Sequence, residues 1–171
     1  MTMAKLHLVM PMAGRGSRFF ENGFVCPKPL IEIHGRPFFY WATQSIARFV
    51  DCADITFVVL EEHIRDHAMD REIKKYYPAA RIVALPAVTE GAAITALRGA
   101  EGLPEGEALL FNDCDHLFFC RSFHRLLRQL HQLRIDFLQA VRKPILLQLD
   151  AAAGKCRCID NLCSCLHITF L

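Results

Sequence analysis

Two glycines, two cations and two carboxylates carry most of the chemistry this sequence can support. From Met12 the chain reads Met-Ala-Gly-Arg-Gly-Ser-Arg-Phe-Phe-Glu-Asn-Gly-Phe-Val-Cys-Pro-Lys-Pro-Leu, directly after the apolar run Leu6 to Met10. A strand that empties into a glycine-rich loop suits phosphate. Gly14 and Gly16 can take positive φ and let main-chain N–H groups close on an anion with no Cβ in the way, so Ala13, Gly14, Arg15, Gly16 and Ser17 can form a nest for phosphate oxygens. Arg18 can grip a phosphate through two parallel hydrogen bonds, and Lys28 supplies a compact charge able to follow a moving phosphoryl group. The loop is neither of the common glycine-rich motifs, since it lacks the Gly-Lys-Ser/Thr ending of a Walker loop and the third glycine of a dinucleotide fingerprint. Taken alone, Ala-Gly-Arg-Gly-Ser also fits an ordinary turn.

The carboxylates lie in Asn112-Asp113-Cys114-Asp115-His116, after the apolar run Ala108 to Phe111. Two carboxylates two residues apart at the end of a strand suit a hard divalent cation, which prefers oxygen ligands and leaves room for substrate phosphates. A turn or a helix cap would use the same residues. His116 can orient Asp115, reach a phosphate or serve structure alone. Thr89-Glu90-Gly91-Ala92-Ala93 opens a small-residue stretch whose glycine, read by itself, points to close helix packing. His63 and His67 lie four apart, but no glutamate follows His63 in the His-Glu-x-x-His manner, so they are expected on a solvated helix face. No serine sits in a nucleophile elbow, and no cysteine joins a histidine and a carboxylate in a recognisable signature.

The elements that must position these groups alternate. Leu6 to Met10 reads as a first strand. Leu30, Ile31 and Ile33 form a short extended segment turned by Gly35, and Pro37 opens a helix to about Phe49 with Phe38, Trp41, Ser45 and Phe49 on one face. Asp54 to Leu60 is a continuous β-branched and apolar run, as expected of a parallel strand buried on both faces. A polar-faced helix follows from Glu61 to Tyr77, stopped by Pro78, then a strand from Arg81 to Leu85. Gly91 opens a helix to about Ala100, and Ala108 to Phe111 is the next strand. Ser122 to Arg134 has helical spacing, and 137–141 and 145–149 look like two more strands. The pattern predicts an α/β fold of three layers: a mostly parallel twisted sheet with helices on both faces and its ligand site at the carboxyl ends of the strands.

Composition narrows the function. The chain has 171 residues, 53% of them hydrophobic, which suits one domain with a substantial core. A net charge of +2 with scattered basic residues argues against nucleic acid and against a polybasic membrane patch. No apolar run is long enough to span a bilayer. Cys26, Cys52, Cys114 and Cys120 are spread through the α/β pattern, which favours reduced thiols and a cytoplasmic setting over a secreted disulfide scaffold.

Gly14-Arg15-Gly16-Ser17-Arg18 followed by Pro27-Lys28-Pro29-Leu30 resembles the two-part signature of the sugar-nucleotide pyrophosphorylases, nucleotidyltransferases with a GT-A-like, Rossmann-like fold. The resemblance implies transfer of a nucleoside monophosphate from an NTP to a phosphorylated acceptor, most often a sugar 1-phosphate, with release of pyrophosphate. It implies Arg18 and Lys28 as catalytic residues on the leaving pyrophosphate and the α-phosphate. It implies Ala13 to Ser17 and Glu90, Gly91 and Ala92 as nucleotide contacts, and Mg2+ on Asp115 with Asp113 as the second choice. Glu90 stands where the family often has Gln, which leaves the base open. A nucleotide-sugar-dependent glycosyltransferase would also use an acidic pair at this strand end but has no need of the two-part signature. A truncated, non-catalytic nucleotide-binding domain is the other alternative.

The resemblance runs from about Leu6 to Phe119 and fades after Ile145. The expected division is a nucleotidyltransferase domain over 1–154 and a divergent cysteine-rich tail over 155–171, with the fold incomplete at its C-terminus and an exposed sheet edge through which copies can associate. Cys156, Cys158, Cys163 and Cys165 form two pairs with one residue between thiolates, whereas structural zinc pairs leave two to four. Zinc is not expected there.

Overall fold

A computed structural model describes residues 6–47, 52–105, 107–117 and 167–170. Its main sheet has the order β5-β4-β1-β6-β7, with β1 at Leu6–Pro11, β4 at Ile55–Leu60, β5 at Arg81–Leu85, β6 at Ala108–Phe111 and β7 at His167–Phe170. The first four strands are mutually parallel, and β7 runs antiparallel beside β6. The register sets Leu8 beside Ile55 and Leu110, so β1 is the middle of the sheet and is paired on both sides. A strand in that position needs apolar side chains on both faces, and Leu8, Val9 and Met10 are fully buried.

Alternate residues of these strands feed two cores. Leu8 and Met10 join Phe57, Val59 and Leu110 against α2 (Phe38–Gln44) and α4 (Met69–Tyr76), through Phe39, Ala42, Met69, Ile73 and Tyr77. Val9 and Val58 face the other way, toward α5 (Ala92–Ala100). Here Gly99 is required by proximity: a Cβ at that position would stand 2.5 Å from methyls of both Val9 and Val58. Helices therefore cover both faces, and the three-layer α/β arrangement stands. Among the described residues no helix is long and apolar enough to cross a membrane.

Local structure departs from the sequence reading in four places. Pro37 closes a small hairpin of β2 (Glu32–Ile33) and β3 (Arg36–Pro37), and it precedes helix α2 instead of starting it. The turn between these strands, His34 and Gly35, has φ of +51 and +70, the double positive φ that a two-residue hairpin loop demands. The single helix expected from Glu61 to Tyr77 breaks at Ala68, whose φ of +50 separates α3 (Glu61–His67) from α4 and turns Met69 and Ile73 into the core. His63 is buried, not on a solvated face. Finally, β7 pairs with β6 and covers the edge that β6 would otherwise present. The expected helix over 122–134, the strands over 137–141 and 145–149, and the cysteine pairs lie outside the described residues.

Candidate active site

Because β1, β4, β5 and β6 are parallel, their carboxyl ends open on one edge of the sheet, and the loops that follow them meet there. β1 leads through Met12 and Ala13, both buried, into the exposed Gly14 and Arg15. The Met12 amide is tied to Val58 O at 2.7 Å, which anchors the start of the loop on β4. Gly16 is left-handed with φ of +64 and begins the short helix α1, Ser17–Glu21. A Cβ at Gly16 would come within 3.1 Å of Lys28 Cβ, so glycine is needed here for both its conformation and the close approach of the lysine stem. Gly14 does not take positive φ, contrary to the sequence reading, and nothing lies within 4 Å of where its Cβ would be. Its contribution is open space. Among the described residues, the amides of Gly14, Arg15, Gly16 and Ser17 take no main-chain acceptor.

The two-part motif closes on itself through Lys28. Pro27 and Pro29 flank it at a single 3-10 turn, Lys28–Leu30, which holds the backbone while the side chain reaches out. Lys28 Nζ lies 2.8 Å from Asp115 Oδ2, with both side chains about a quarter exposed, and stands 5.7 Å from the centre of the Phe19 ring. Burial works against the ammonium charge, but the Asp115 hydrogen bond and the nearby carboxylates outweigh it and raise the Lys28 pKa above its ordinary value. Cys114, between the two carboxylates, is fully buried, and burial pushes its thiol up to about 12. It is inert as a nucleophile or ligand.

Asp113 and Asp115 converge on one atom. His116 Nδ1 lies 3.4 Å from Asp113 Oδ2 and 3.7 Å from Asp115 Oδ1, and it has no hydrogen-bond partner among the described residues. The turn that brings them together is held by Asn112, a residue to which the sequence reading gave no role. It is buried, and its amide nitrogen donates to Ala42 O and to His116 O, each at 3.3 Å, while its main-chain N–H donates to Val9 O at 3.2 Å. A short polar amide directly before the acidic pair was the available signal. Phe19, beneath Lys28, gave none.

Arg15 and Arg18 diverge. Arg15 lies 3.8 Å from Glu62 and, with Ser17, Phe20, Pro27 and His63, lines a cavity of about 430 Å³ between α1 and α3. Arg18 is exposed and has no ion-pair partner among the described residues. A second cleft, of about 250 Å³, has Asp115 on one wall and Phe38, Trp41 and Leu117 on others. Glu90, Gly91 and Ala92 are exposed at the start of α5, the helix that packs over β1 and β4. Gly91 is extended there, and its carbonyl accepts from the hydroxyls of Thr89 and Thr95. No hydrogen bond or ion pair among the described residues joins this segment to the glycine loop or to Asp115. The structure thus brings together Gly16, Lys28, Asp113 and Asp115, and no side-chain hydrogen bond or ion pair among the described residues joins Arg18 or the 90–92 segment to them.

A parallel sheet with a glycine loop after its central strand and an acidic turn after the neighbouring one defines the Rossmann-like nucleotidyltransferase fold. The profile of the MobA-like NTP transferase domain matches residues 9–157, and the chain belongs to that family. Solved structures agree. A nucleoside-diphosphate-sugar pyrophosphorylase from Vibrio cholerae shares 25% identity over 68% of this chain and 52% of its own, with a TM-score of 0.52. A nucleotidyl transferase from Methanothermobacter shares 19% over 72% of this chain and 57% of its own, with a TM-score of 0.55. The inositol-1-phosphate CTP transferase of T. maritima shares 19% over 68% and 46%, with a TM-score of 0.53. The chain spans about half the length of these structures. No curated protein sequence matches it.

Proposed function

We propose that this domain transfers a nucleoside monophosphate from an NTP to a phosphorylated small-molecule acceptor, a sugar 1-phosphate, and releases pyrophosphate. The observation that carries the reading is the meeting of Lys28 with the glycine loop on one side and Asp115 on the other. An acceptor phosphate, with a second pKa of about 6, is largely ionised at neutral pH and attacks the α-phosphorus in line without a strong general base. The work left to the protein is positioning and charge stabilisation. The amides of Gly14 to Ser17, with Arg18, hold the β- and γ-phosphates that leave together as pyrophosphate. Lys28 neutralises charge gathering on the α-phosphate, and the 90–92 segment lies against the base and ribose.

Asp113 and Asp115 offer a divalent cation oxygen donors from one turn, both partly exposed, with the remaining ligands left to substrate phosphates and water. Bound there, Mg2+ would neutralise phosphate charge that the protein's cations leave uncovered. The domain boundary near residue 154 and a cytoplasmic setting belong to the same proposal, the latter supported by the free thiols of Cys26 and Cys114.

The test is a panel of NTPs with sugar phosphates and choline phosphate, following pyrophosphate; consumption of a nucleotide sugar without pyrophosphate would instead indicate glycosyl transfer. In a Mg2+ titration of activity, Asp115→Asn should raise the metal requirement more than Asp113→Asn, because the amide keeps the shape but loses the charge. The reverse order would move the principal ligand to Asp113.

A further inference from the structure

The contact between Lys28 and Asp115 links two groups to which the proposed reaction gives separate partners, the α-phosphate and the metal. We propose that Lys28 is the resident cation of the acidic turn before substrate arrives, and that nucleotide and metal enter by displacing it. The inference rests on the nucleotidyltransferase reading and adds a device to it. Lys28 Nζ lies 2.8 Å from Asp115 Oδ2, on one of the two carboxylates assigned to the metal. An ammonium there repels a second cation approaching the same carboxylate, more strongly in a partly buried setting than in water. Departure of the lysine relieves that repulsion as the metal arrives.

The lysine also has somewhere to go. Its stem packs against Gly16, so the loop expected to close on phosphate touches the side chain that guards the carboxylate. Its ammonium stands 5.7 Å from the Phe19 ring centre, and Phe19 rides on α1 directly after the loop. A phosphate in the loop offers Nζ a stronger partner than the partly exposed Asp115, and the face of Phe19 supports the ammonium along the short path. The emptied turn keeps the Asn112 hydrogen bonds to Ala42 O and His116 O, neither of which involves Lys28. The consequence is ordered loading. The free protein binds a divalent cation poorly, and nucleotide raises its affinity by drawing Lys28 away.

Binding of Mn2+ to the purified chain, measured by calorimetry or electron paramagnetic resonance without turnover, tests this. Lys28→Gln should raise Mn2+ affinity of the nucleotide-free protein by about tenfold, the factor carried by one charge-assisted hydrogen bond. Lys28→Arg, which keeps the charge, should not. A non-hydrolysable NTP should raise Mn2+ affinity of the wild type and do so less for Lys28→Gln. Unchanged or weaker Mn2+ binding by Lys28→Gln, in a protein whose circular dichroism matches the wild type, would overturn the displacement. If Asp115→Asn leaves Mn2+ binding unaltered, the metal assignment itself fails, and the displacement with it.

Discussion

β1 carries a cluster of one base and two acids near each of its ends, and the two clusters behave oppositely. Beyond its carboxyl end, Lys28 meets Asp115 with Asp113 nearby; toward its amino end, His7 is held between Glu107 and Asp54. His7 is buried, its Nε2 bonded to Glu107 and its Nδ1 3.7 Å from Asp54 Oδ1. It sits within the strand, and its acids immediately precede β6 and β4. His7 is nearly closed to solvent, while Asp54 and Glu107 are 11% and 21% exposed. Lys28 and the two aspartates ride on loops, and all three remain partly open to solvent. Similar groups at similar distances therefore make a structural clamp at one edge and a site that can change hands at the other. What separates them is the base: His7 is buried within a strand, whereas Lys28 is a quarter exposed on a short turn.

The sharpest separation should come from Arg18→Ala. It removes a cation with no folding partner among the described residues, and by analogy with a lost oxyanion donor should lower turnover about 10²–10³-fold, leaving denaturation midpoints nearly unchanged. Unaltered pyrophosphate release would end its leaving-group role. Glu107→Ala should do the reverse. It strands His7 in the sheet and should cost about 1–3 kcal/mol in urea unfolding, with nucleotide binding retained. Loss of binding without loss of stability would mean that the two edges are coupled. The smallest effect concerns His63, at the end of the sheet that holds the site but itself buried. Burial, aided by His67 and opposed by Glu62 and Asp66, lowers its pKa below the ordinary 6.5. The unfolded chain then binds the proton more readily, so stability is fully present above pH 6.5 and falls as the pH drops through the lowered native value. Unfolding at pH 7.5 and 5.5 should show that loss, and His63→Leu should reduce it; an unchanged slope would assign the pH dependence elsewhere.

Much of the frame was legible because β1, β4, β5 and β6 are short apolar runs bounded by turn residues, and the run Ala108 to Phe111 matches its strand without a residue's error. The glycine loop and the acidic turn were legible because their chemistry is local. What the sequence hid was pairing across space and conformation imposed by packing. Nothing in Pro27-Lys28-Pro29 says that the lysine reaches Asp115, and nothing in Asn112 says that its amide spans α2 and the acidic turn. Gly14 and Gly16 look alike on paper, yet only Gly16 meets Lys28 and turns left-handed. The break at Ala68 defeats propensity altogether: an alanine pays the cost of a left-handed residue because Met69 and Ile73 gain the core.

The position of β1 has a consequence for how the chain is made. Leu8 pairs with Ile55 on one side and Leu110 on the other, so β1 is synthesised before both of its neighbours. At a translation rate of about 5–20 residues per second, β1 waits several seconds to tens of seconds for β6. It stands open along both sides until β4 is made, and along one side from then until β6. Nascent chains of this domain should accordingly engage ribosome-associated chaperones through residues 6–11, and slowing synthesis anywhere before β6 should increase aggregation.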